Sequence, residues 1–445
     1  MKTDIEKEIL KKIKPTAEEN QCIQHITNDI KEKILDQRKK VPYIFDVLLV
    51  GSIAKGTYLS GNLDIDLFIL FNPQVPLKHL EKFGLQIGKK ALPQWTIQYA
   101  NHPYVRGTYR GFQVDIVPCF KVDHPSKKIS AVDRTPFHTN YVIQHLKENE
   151  KDEVRLLKKF LQGIDCYGAE EKIRGFSGYL AELFIIRYHS FQNLLSSCQH
   201  WRFGEFFTLD KREHGTFHGP LIFIDPVDPT RNVASALSKE KYRIFISACQ
   251  SYHKHPKKEF FFPNPVTPWP LAKIEKKVKN CVGVLIPKPF LVEDILYSQI
   301  RKACKNIVVL CGQYDFLVED VSYHVNNSIT IFLKLKSMVL PPHKFHMGPP
   351  CDKKEHVSFF KERWRDSKYS LSQPYEREGR WWIEIKREFT TVQSMLREKI
   401  KDVNLGKHLT PLASKIEILE HEQLIKDRYA IFWTKYLDKK MPWER

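Results

Sequence analysis

Two aspartates one residue apart, Asp64 and Asp66, lie in the apolar segment 63–71, and a third, Asp115, lies in the apolar segment 113–120. Alternating polar and apolar residues predict a β-strand for both segments, so Asp64 and Asp66 should share one face of their strand. Two carboxylates held close together repel each other unless a cation lies between them. Because Mg²⁺ prefers oxygen ligands and is often held by one or two carboxylates plus substrate phosphates, the pair predicts a metal-bound phosphate site.

The spacing of two aspartates is common, and the alternative is that both are solvated residues on the exposed face of an edge strand. Two neighbours favour the site. Gly51 and Ser52 follow the apolar segment 43–50 and precede a turn with helical character, where backbone N–H groups and a hydroxyl can hold phosphate oxygens. If the strand of Asp115 pairs beside that of Asp66, it adds the third carboxylate that a two-metal phosphoryl-transfer site needs.

The surrounding patterns predict an α+β multidomain protein. Helical spacing over 6–38 and 77–91, with strands at 43–50, 63–71 and 113–120, predicts a small N-terminal α/β domain. The stretch 140–199 is helical, with Val154, Leu157, Leu161 and Ile164 on one apolar stripe and a buried segment at 179–195. The Pro-rich segment 262–270 marks a boundary. Beyond it, strands at 282–286 and 328–335, a helix at 292–304 and a Pro-rich turn at 341–350 predict an α+β region, so the domains should be 1–139, 140–261 and 262–445.

Charge points to an anionic partner. The 445 residues include 71 Lys and Arg against 52 Asp and Glu, a formal charge of +19, spread along the chain in basic pairs rather than in one tail. Such a distribution suits a long folded polyanion. Segment 359–387 interleaves arginines with Trp and Tyr, which offers phosphate ligands and stacking planes, although the aromatics could equally be core residues.

The remaining composition excludes two other classes of protein. No apolar run approaches the ~20 residues that a membrane helix needs, and the charged N-terminus lacks the apolar centre of a signal peptide. We therefore expect a cytoplasmic protein without membrane contact. The nine cysteines are scattered singly, without a C-x-x-C pair, and are interpreted as reduced packing residues.

The order of Gly51-Ser52, the Asp64 and Asp66 pair, and Asp115 resembles the polymerase β-like nucleotidyltransferases. Four longer segments are similar to the archaeal-type, class I CCA-adding tRNA nucleotidyltransferases, densely over about 41–240 and more thinly to the C-terminus. These segments are GSIAKGTYLSGNLDIDLFILF, RTPFHTNY, EVRLLKKFLQGIDCYGAEEKIRGFSGYLAEL and IDPVDPTRNVASALS. The resemblance implies an N-terminal catalytic head, a helical neck that binds nucleotide and the tRNA end, and a C-terminal body and tail that bind tRNA.

The resemblance also implies a reaction and its residues. Such enzymes add C, C and A to the 3′ end of tRNA without a nucleic-acid template, using CTP, ATP and two Mg²⁺ ions and releasing pyrophosphate. It assigns Asp64, Asp66 and Asp115 to catalysis and metal binding. It assigns nucleotide binding to Gly51, Ser52, Lys55, His138, Lys158, Tyr167 and Arg231. The family commonly has Arg where this chain has Lys55. Lys keeps the positive charge but lacks the bidentate guanidinium group of Arg.

Several of these residues have alternatives within the fold. His138 could be a helix residue without a ligand, Lys158 and Arg231 could be solvated charges, and Tyr167 could cap the preceding helix. Asp225 and Asp228 are candidates for orienting Arg231. In RGFSGYLAEL, helical spacing favours core packing for Phe176, Leu180 and Leu183, and only Arg174 is proposed to touch RNA.

The expected partners are CTP, ATP and tRNA, gripped at its acceptor stem and elbow, and the resemblance allows a homodimer. Two other functions stay open at this point. One is another template-independent RNA nucleotidyltransferase, such as a poly(A) polymerase, which would make heterogeneous A-tails. The other is a catalytically silent tRNA-binding protein, for which loss of a carboxylate would be the sign, whereas all three are present.

Overall fold

A five-stranded sheet carries the three aspartates. The computed structural model describes residues 2–41, 43–61, 64–99 and 102–445, so Leu63 of the predicted strand lies outside the described residues. The strands, in the spatial order β1-β2-β5-β4-β3, are β1 (Ile44–Val50), β2 (Asp64–Phe71), β3 (Gln94–Tyr99), β4 (Pro103–Tyr109) and β5 (Phe112–Phe120). The first helices are α1 (Asp4–Ile13), α2 (Ala17–Leu35), α3 (Gly51–Lys55) and α4 (Leu77–Ala91).

One face of this sheet forms an apolar core and the other carries the acids. Ile65, Leu67 and Ile69 of β2 pack in the core with α2 residues such as Ile26 and Ile30. The strands predicted at 43–50 and 113–120, the described part of the strand predicted at 63–71, and the helix at 77–91 are confirmed. Sequence reasoning missed β3 and β4, because β3 is largely exposed and therefore lacks the apolar run that marked the other strands.

A helical assembly follows the sheet. Its elements are α5 (Thr135–His145), α6 (Lys151–Gly163), α7 (Gly178–Tyr188), α8 (Phe191–Cys198) and α9 (Lys239–Lys254), with a short parallel pair, β6 (Glu205–Phe207) and β7 (Leu221–Phe223). The predicted stripe is confirmed, since Val154, Leu157, Leu161 and Ile164 are all buried. Ile9 and Ile13 of α1 belong to this helical core rather than to that of the sheet. Phe176, Leu180 and Leu183 pack in it as well, which confirms their structural role.

The chain divides into two compact units, one of residues 1–265 with 440–445 and one of residues 266–439. The second unit is α+β, as predicted. Its helices are α10 (Leu271–Lys277), α11 (Glu293–Gln313), α12 (Lys354–Arg365), α13 (Val392–Lys399), α14 (His421–Leu424) and α15 (Asp427–Asp438). Its strands are β8 (Cys281–Pro287), β9 (Val318–Val325), β10 (Ser328–Leu335), β11 (His343–Pro350), β12 (Tyr375–Arg377), β13 (Arg380–Lys386) and β14 (Glu417–Leu419).

The second unit contains two sheets, ordered β14-β8-β10-β9 and β11-β13-β12. The turn predicted at 341–350 is wrong, because His343–Pro350 forms β11. This strand lies at the edge of the three-stranded sheet, where a proline's missing N–H does not break a ladder on both sides. The division into domains at 139/140 and 261/262 stays a prediction.

Two smaller expectations concern cysteines and membranes. All nine cysteines are free and seven are buried, which fits packing residues; Cys22 is exposed and Cys351 is partly exposed. Across the part of the chain that the structure describes, no helix has both the length and the apolar character to cross a membrane.

Candidate active site

The three aspartates lie on neighbouring strands and on one face. β2 and β5 run parallel with Asp66 directly opposite Asp115, while Asp64 is opposite Gln113. Directly paired residues on adjacent strands point to the same side of the sheet, and residues two apart on one strand do so as well. The side chains of Asp64, Asp66 and Asp115 therefore lie on one face of the sheet, as the sequence required of a metal site.

This cluster has more negative charge than its surroundings compensate. Burial and the neighbouring charges of Asp115 and Asp64 raise the pKa of Asp66 to about 7, and burial also raises the pKa of Asp64. Arg106 of β4 donates from Nε and Nη2 to the two oxygens of Asp115, at 2.6 Å each. The charges of Lys55 and Arg106 both act to lower the pKa of Asp66, but weakly compared with burial.

The donor set suits a hard divalent cation. Carboxylate oxygens are the ligands that Mg²⁺ prefers, and a bound cation would relieve the repulsion that raises the pKa of Asp66. Among the described residues, no three or more His, Cys, Asp or Glu side chains lie close enough together to bind one metal ion as they stand. Both oxygens of Asp115 accept from Arg106, so this guanidinium competes with a metal ion for the Asp115 carboxylate.

Gly51 lets the backbone approach this acidic cluster. Its φ is +72°, a left-handed conformation, and a Cβ built on it would lie 2.0 Å from Oδ2 of Asp66. Only glycine satisfies both conditions. Gly51 and Ser52 begin α3, a helix of five residues that ends at Lys55 and is followed by Gly56 with φ +66°. The structure therefore places Gly51 beside Asp66, while phosphate binding by Gly51 and Ser52 stays a prediction.

Both lysines predicted to bind nucleotide, Lys55 and Lys158, lie in a buried ion cluster. Nζ of Lys55 donates to Oε2 of Glu182 at 2.6 Å, and Nζ of Lys158 donates to Oε1 of Glu182 at 2.9 Å. Thr57, which follows α3, donates its hydroxyl to Oε1 of Glu182 at 2.6 Å. Although burial favours the neutral acid, Lys158 and Lys55 lower the pKa of Glu182 to about 2. The alternative that Lys158 is a solvated surface charge is wrong, because this residue is only 2% exposed.

A second cluster gathers around Asp225. His138 Nε2 donates to Oδ2 of Asp225 at 2.9 Å, Arg231 Nη1 donates to the same oxygen at 2.9 Å, and the Tyr179 hydroxyl donates to Oδ1 at 3.2 Å. The imidazole of His138 also stacks on the ring of Tyr179, with centroids 4.2 Å apart. Burial lowers the pKa of His138, which favours the neutral imidazole. Because the Asp225 carboxylate can only accept, the one proton of that imidazole lies on Nε2.

The two clusters are adjacent. Nζ of Lys55 lies 5.8 Å from the ring centroid of Tyr179. Tyr167 forms an isolated bridge with Phe176, and its hydroxyl would lie 2.9 Å from a Cβ on Gly178, close to Lys158. Burial raises the pKa of Tyr167 well above its ordinary value, so its hydroxyl stays a proton donor. Lys55, Lys158 and Tyr167 thus lie in or beside the cluster around Glu182, and His138 and Arg231 lie in the cluster around Asp225.

Other candidates have structural partners. Asp228 binds Lys128 and Arg134 and accepts from the Thr230 hydroxyl at 2.6 Å, while its backbone carbonyl accepts from the N–H of Arg231 at 3.0 Å. It therefore shapes the loop that carries Arg231. The carbonyl of Arg174 accepts from the N–H of Ser238, and its predicted RNA contact stays a prediction.

Sequence reasoning missed Arg106, Thr57 and Glu182. Glu182 did leave a signal, because it is a lone carboxylate inside the apolar segment 179–195, where burial demands a cation. No local pattern marked Arg106, whose role depends on the pairing of β4 with β5, opposite Asp115.

The fold and the acidic site define a nucleotidyltransferase. Residues 30–138 match the model of the nucleotidyltransferase domain, residues 152–262 match the tRNA nucleotidyltransferase second domain, and residues 278–421 match the CCA-adding enzyme C-terminal domain. The chain is 37% identical over 426 residues to the CCA-adding enzyme of Methanosarcina barkeri, covering 93% of each chain. It is 35% identical over 453 residues to the CCA-adding enzyme of Methanocaldococcus jannaschii, covering 95% of this chain and 98% of that one. The chain belongs to the CCA-adding enzyme family, which confirms the resemblance.

A solved structure of the Cid1 poly(U) polymerase overlaps 57% of this chain and 96% of that chain, with a TM-score of 0.46 and 13% identity. This similarity is too low to carry functional information. Nucleotidyltransferases of this kind use nucleotide substrates and divalent metal ions.

Proposed function

We propose that this protein adds C, C and A to the 3′ end of tRNA, taking the nucleotides from CTP and ATP and releasing pyrophosphate. Membership of the CCA-adding family supports the reaction. The observation that carries the chemistry is the direct pairing of Asp66 with Asp115 on adjacent strands, with Asp64 on the same face.

Asp64, Asp66 and Asp115 are proposed to hold two Mg²⁺ ions. When bound, these ions would make the tRNA 3′ hydroxyl more nucleophilic and stabilise the charge on the departing pyrophosphate. The protein's own contribution is to fix three oxygen donors on a rigid sheet, with Gly51 pressed against Asp66 so that incoming phosphate can approach closely.

The nucleotide is proposed to bind between the acidic cluster and the clusters around Glu182 and Asp225. Gly51, Ser52, Lys55, Lys158 and Tyr167 would hold the triphosphate. His138 and Arg231 are proposed to contact the nucleotide further along, with Asp225 fixing both through the oxygen that accepts from each of them. Because Asp225 holds these two side chains in place, they could recognise the base without a template strand.

The tRNA is proposed to lie along the positive surface, with its elbow on the C-terminal region. Within segment 359–387, Trp364 and Trp381 pack against a small core that includes Phe360, and Arg380 donates to the carbonyl of Gly348, so these residues are structural. Trp382 and Tyr375, which pair across β13 and β12 and are partly exposed, are the better stacking candidates. A cytoplasmic location and a homodimer are further parts of the proposal.

The test incubates the protein with tRNA that ends before its CCA triplet, Mg²⁺ and labelled CTP and ATP, and then sequences the 3′ ends. We expect CC with CTP alone and CCA, without further growth, with both nucleotides. Heterogeneous A-tails would instead indicate a poly(A) polymerase. Binding of tRNA without nucleotide consumption would indicate a silent binding protein.

The metal assignment has its own test. Asp115→Asn should lower kcat by at least about 10²-fold while tRNA affinity stays within twofold, because the carboxylate acts on the reacting phosphate and not on the tRNA body. Asp46→Asn is the matched control, since Asp46 is an exposed aspartate on β1 of the same sheet. Near-normal turnover by Asp115→Asn would overturn the assignment.

A further inference from the structure

A single buried carboxylate is shared by two lysines. Glu182 is fully buried on α7, and Lys55 from α3 and Lys158 from α6 are 8% and 2% exposed. Thr57, also fully buried, completes the group. Two ammonium ions, one carboxylate and one hydroxyl thus face one another out of water and carry a net charge of +1.

The hydrogen bonds give each member a defined direction. Lys158 Nζ has three donors, and its protein acceptors are the Thr57 carbonyl at 3.2 Å, the Thr57 hydroxyl at 3.0 Å and Glu182 Oε1 at 2.9 Å. Because the Thr57 hydroxyl accepts from Lys158, it is free to donate its own proton to Glu182. Oε1 of Glu182 therefore accepts hydrogen bonds from Thr57 and Lys158, and Oε2 accepts one from Lys55.

The cluster borders the candidate active site on two sides. Lys55 is close enough to Asp66 that its charge lowers the pKa of that carboxyl. Lys158 lies by Gly178, where a Cβ would be 3.7 Å from Cε of Lys158 and 2.9 Å from the Tyr167 hydroxyl. The cations that Glu182 holds are thus the ones between the acidic cluster and Tyr167.

We propose that Glu182 is a positioning residue that holds Lys55 and Lys158 together, both charged, for the triphosphate of the incoming nucleotide. Lys55 would donate to the phosphate oxygens, whereas Lys158, whose three N–H groups have protein acceptors, would act through its positive charge. The inference rests on the proposed function, in which these lysines bind the triphosphate. Glu182 touches neither substrate nor metal and acts only through the two lysines.

The physical reason is that two buried ammonium groups repel each other and are each destabilised by loss of water. The carboxylate offsets both effects. Without it, one lysine has to release its proton or turn away toward solvent, and the site loses part of the positive charge and the geometry that an anionic triphosphate needs. A charge-assisted contact of this kind corresponds to about a 10- to 100-fold change in affinity.

The experiment compares Glu182→Gln with the wild-type chain in steady-state kinetics, varying CTP, ATP and CCA-less tRNA separately. We expect the KM values for CTP and ATP to rise together by about 10- to 100-fold, with kcat within a few-fold and the KM for tRNA unchanged. Glu150→Gln is the matched control, because Glu150 is a buried carboxylate of the same unit that pairs with His189. An unchanged nucleotide KM, or equal losses in nucleotide and tRNA affinity, would overturn the inference.

Thr57→Val decides the matter if Glu182→Gln does not fold. It removes the hydroxyl between Lys158 and Glu182 without leaving a buried charge unpaired, and it should raise the KM for both nucleotides several-fold. Thr57→Ser, which keeps the hydroxyl, should restore wild-type values. If neither Glu182→Gln nor Thr57→Val changes the KM for CTP and ATP, Glu182 has no positioning role. A wild-type chain that incorporates neither nucleotide would overturn the proposed function instead.

Discussion

Replacing Gly51 by alanine tests the contact between the backbone of α3 and Asp66, one of the proposed catalytic acids. The new methyl group would lie 2.0 Å from Oδ2 of Asp66, whereas ordinary contacts begin at 3.4 Å. The carboxylate therefore has to retreat by more than about 1 Å, and a displacement of that size costs on the order of 10²-fold in rate. That loss corresponds to about 3 kcal/mol of transition-state stabilisation.

The backbone adds a separate cost. An alanine at φ +72° is strained by about 1–2 kcal/mol, which lowers the free energy of unfolding but does not by itself disturb the site. Gly111 offers a matched control, because its φ is +84° and a Cβ there would meet nothing within 4 Å. Gly111→Ala should lose similar stability while keeping its activity.

The assay measures nucleotide incorporation into CCA-less tRNA for Gly51→Ala, Gly111→Ala and wild type, together with urea unfolding of each. We expect equal losses of stability and a drop in kcat for Gly51→Ala only. Wild-type turnover by Gly51→Ala would refute the reasoning, because it would mean that the position of Asp66 does not matter for catalysis.

Two further predictions concern charge. Arg106→Gln removes the guanidinium that donates to both oxygens of Asp115, so Mn²⁺ should bind about tenfold more tightly. The electron paramagnetic resonance signal of free Mn²⁺ measures this binding, and Arg110→Gln on the adjoining turn should leave it unchanged. Weaker Mn²⁺ binding by Arg106→Gln would show that Arg106 supports the metal site. Burial opposes ionisation of Glu182, but Lys158 and Lys55 hold its pKa at about 2 against an ordinary 4.5, so its contribution to stability is complete above pH 4.5 and is lost as the pH falls toward 2. The free energy of unfolding, measured in urea, should therefore differ less between wild type and Glu182→Gln at pH 2 than at pH 4.5, by up to about 3 kcal/mol. A difference in this free energy that does not depend on pH would contradict the ion cluster.

Local patterns in the sequence were enough to locate the acidic strand and its neighbours. Alternation in β2 puts Asp64 and Asp66 on one face whatever surrounds them, because side chains on a strand point to opposite sides in turn. Gly51 was recognisable as a point of close approach, since it follows an apolar strand and precedes a turn. The helices within 140–199 were predictable from apolar spacing, because a helix must bury one stripe against a core.

Tertiary structure decided which of these local features meet. Asp115 joins Asp66 only because β5 pairs in parallel with β2, a register that neither segment specifies alone. Glu182 lies 127 residues from Lys55 along the chain, and their contact depends on how α7 packs beside the residues that follow β1. Strand alternation and helical spacing act over a few residues, whereas the partner of a buried charge is selected by the whole packed core, which is why the ion cluster was visible only in the folded chain.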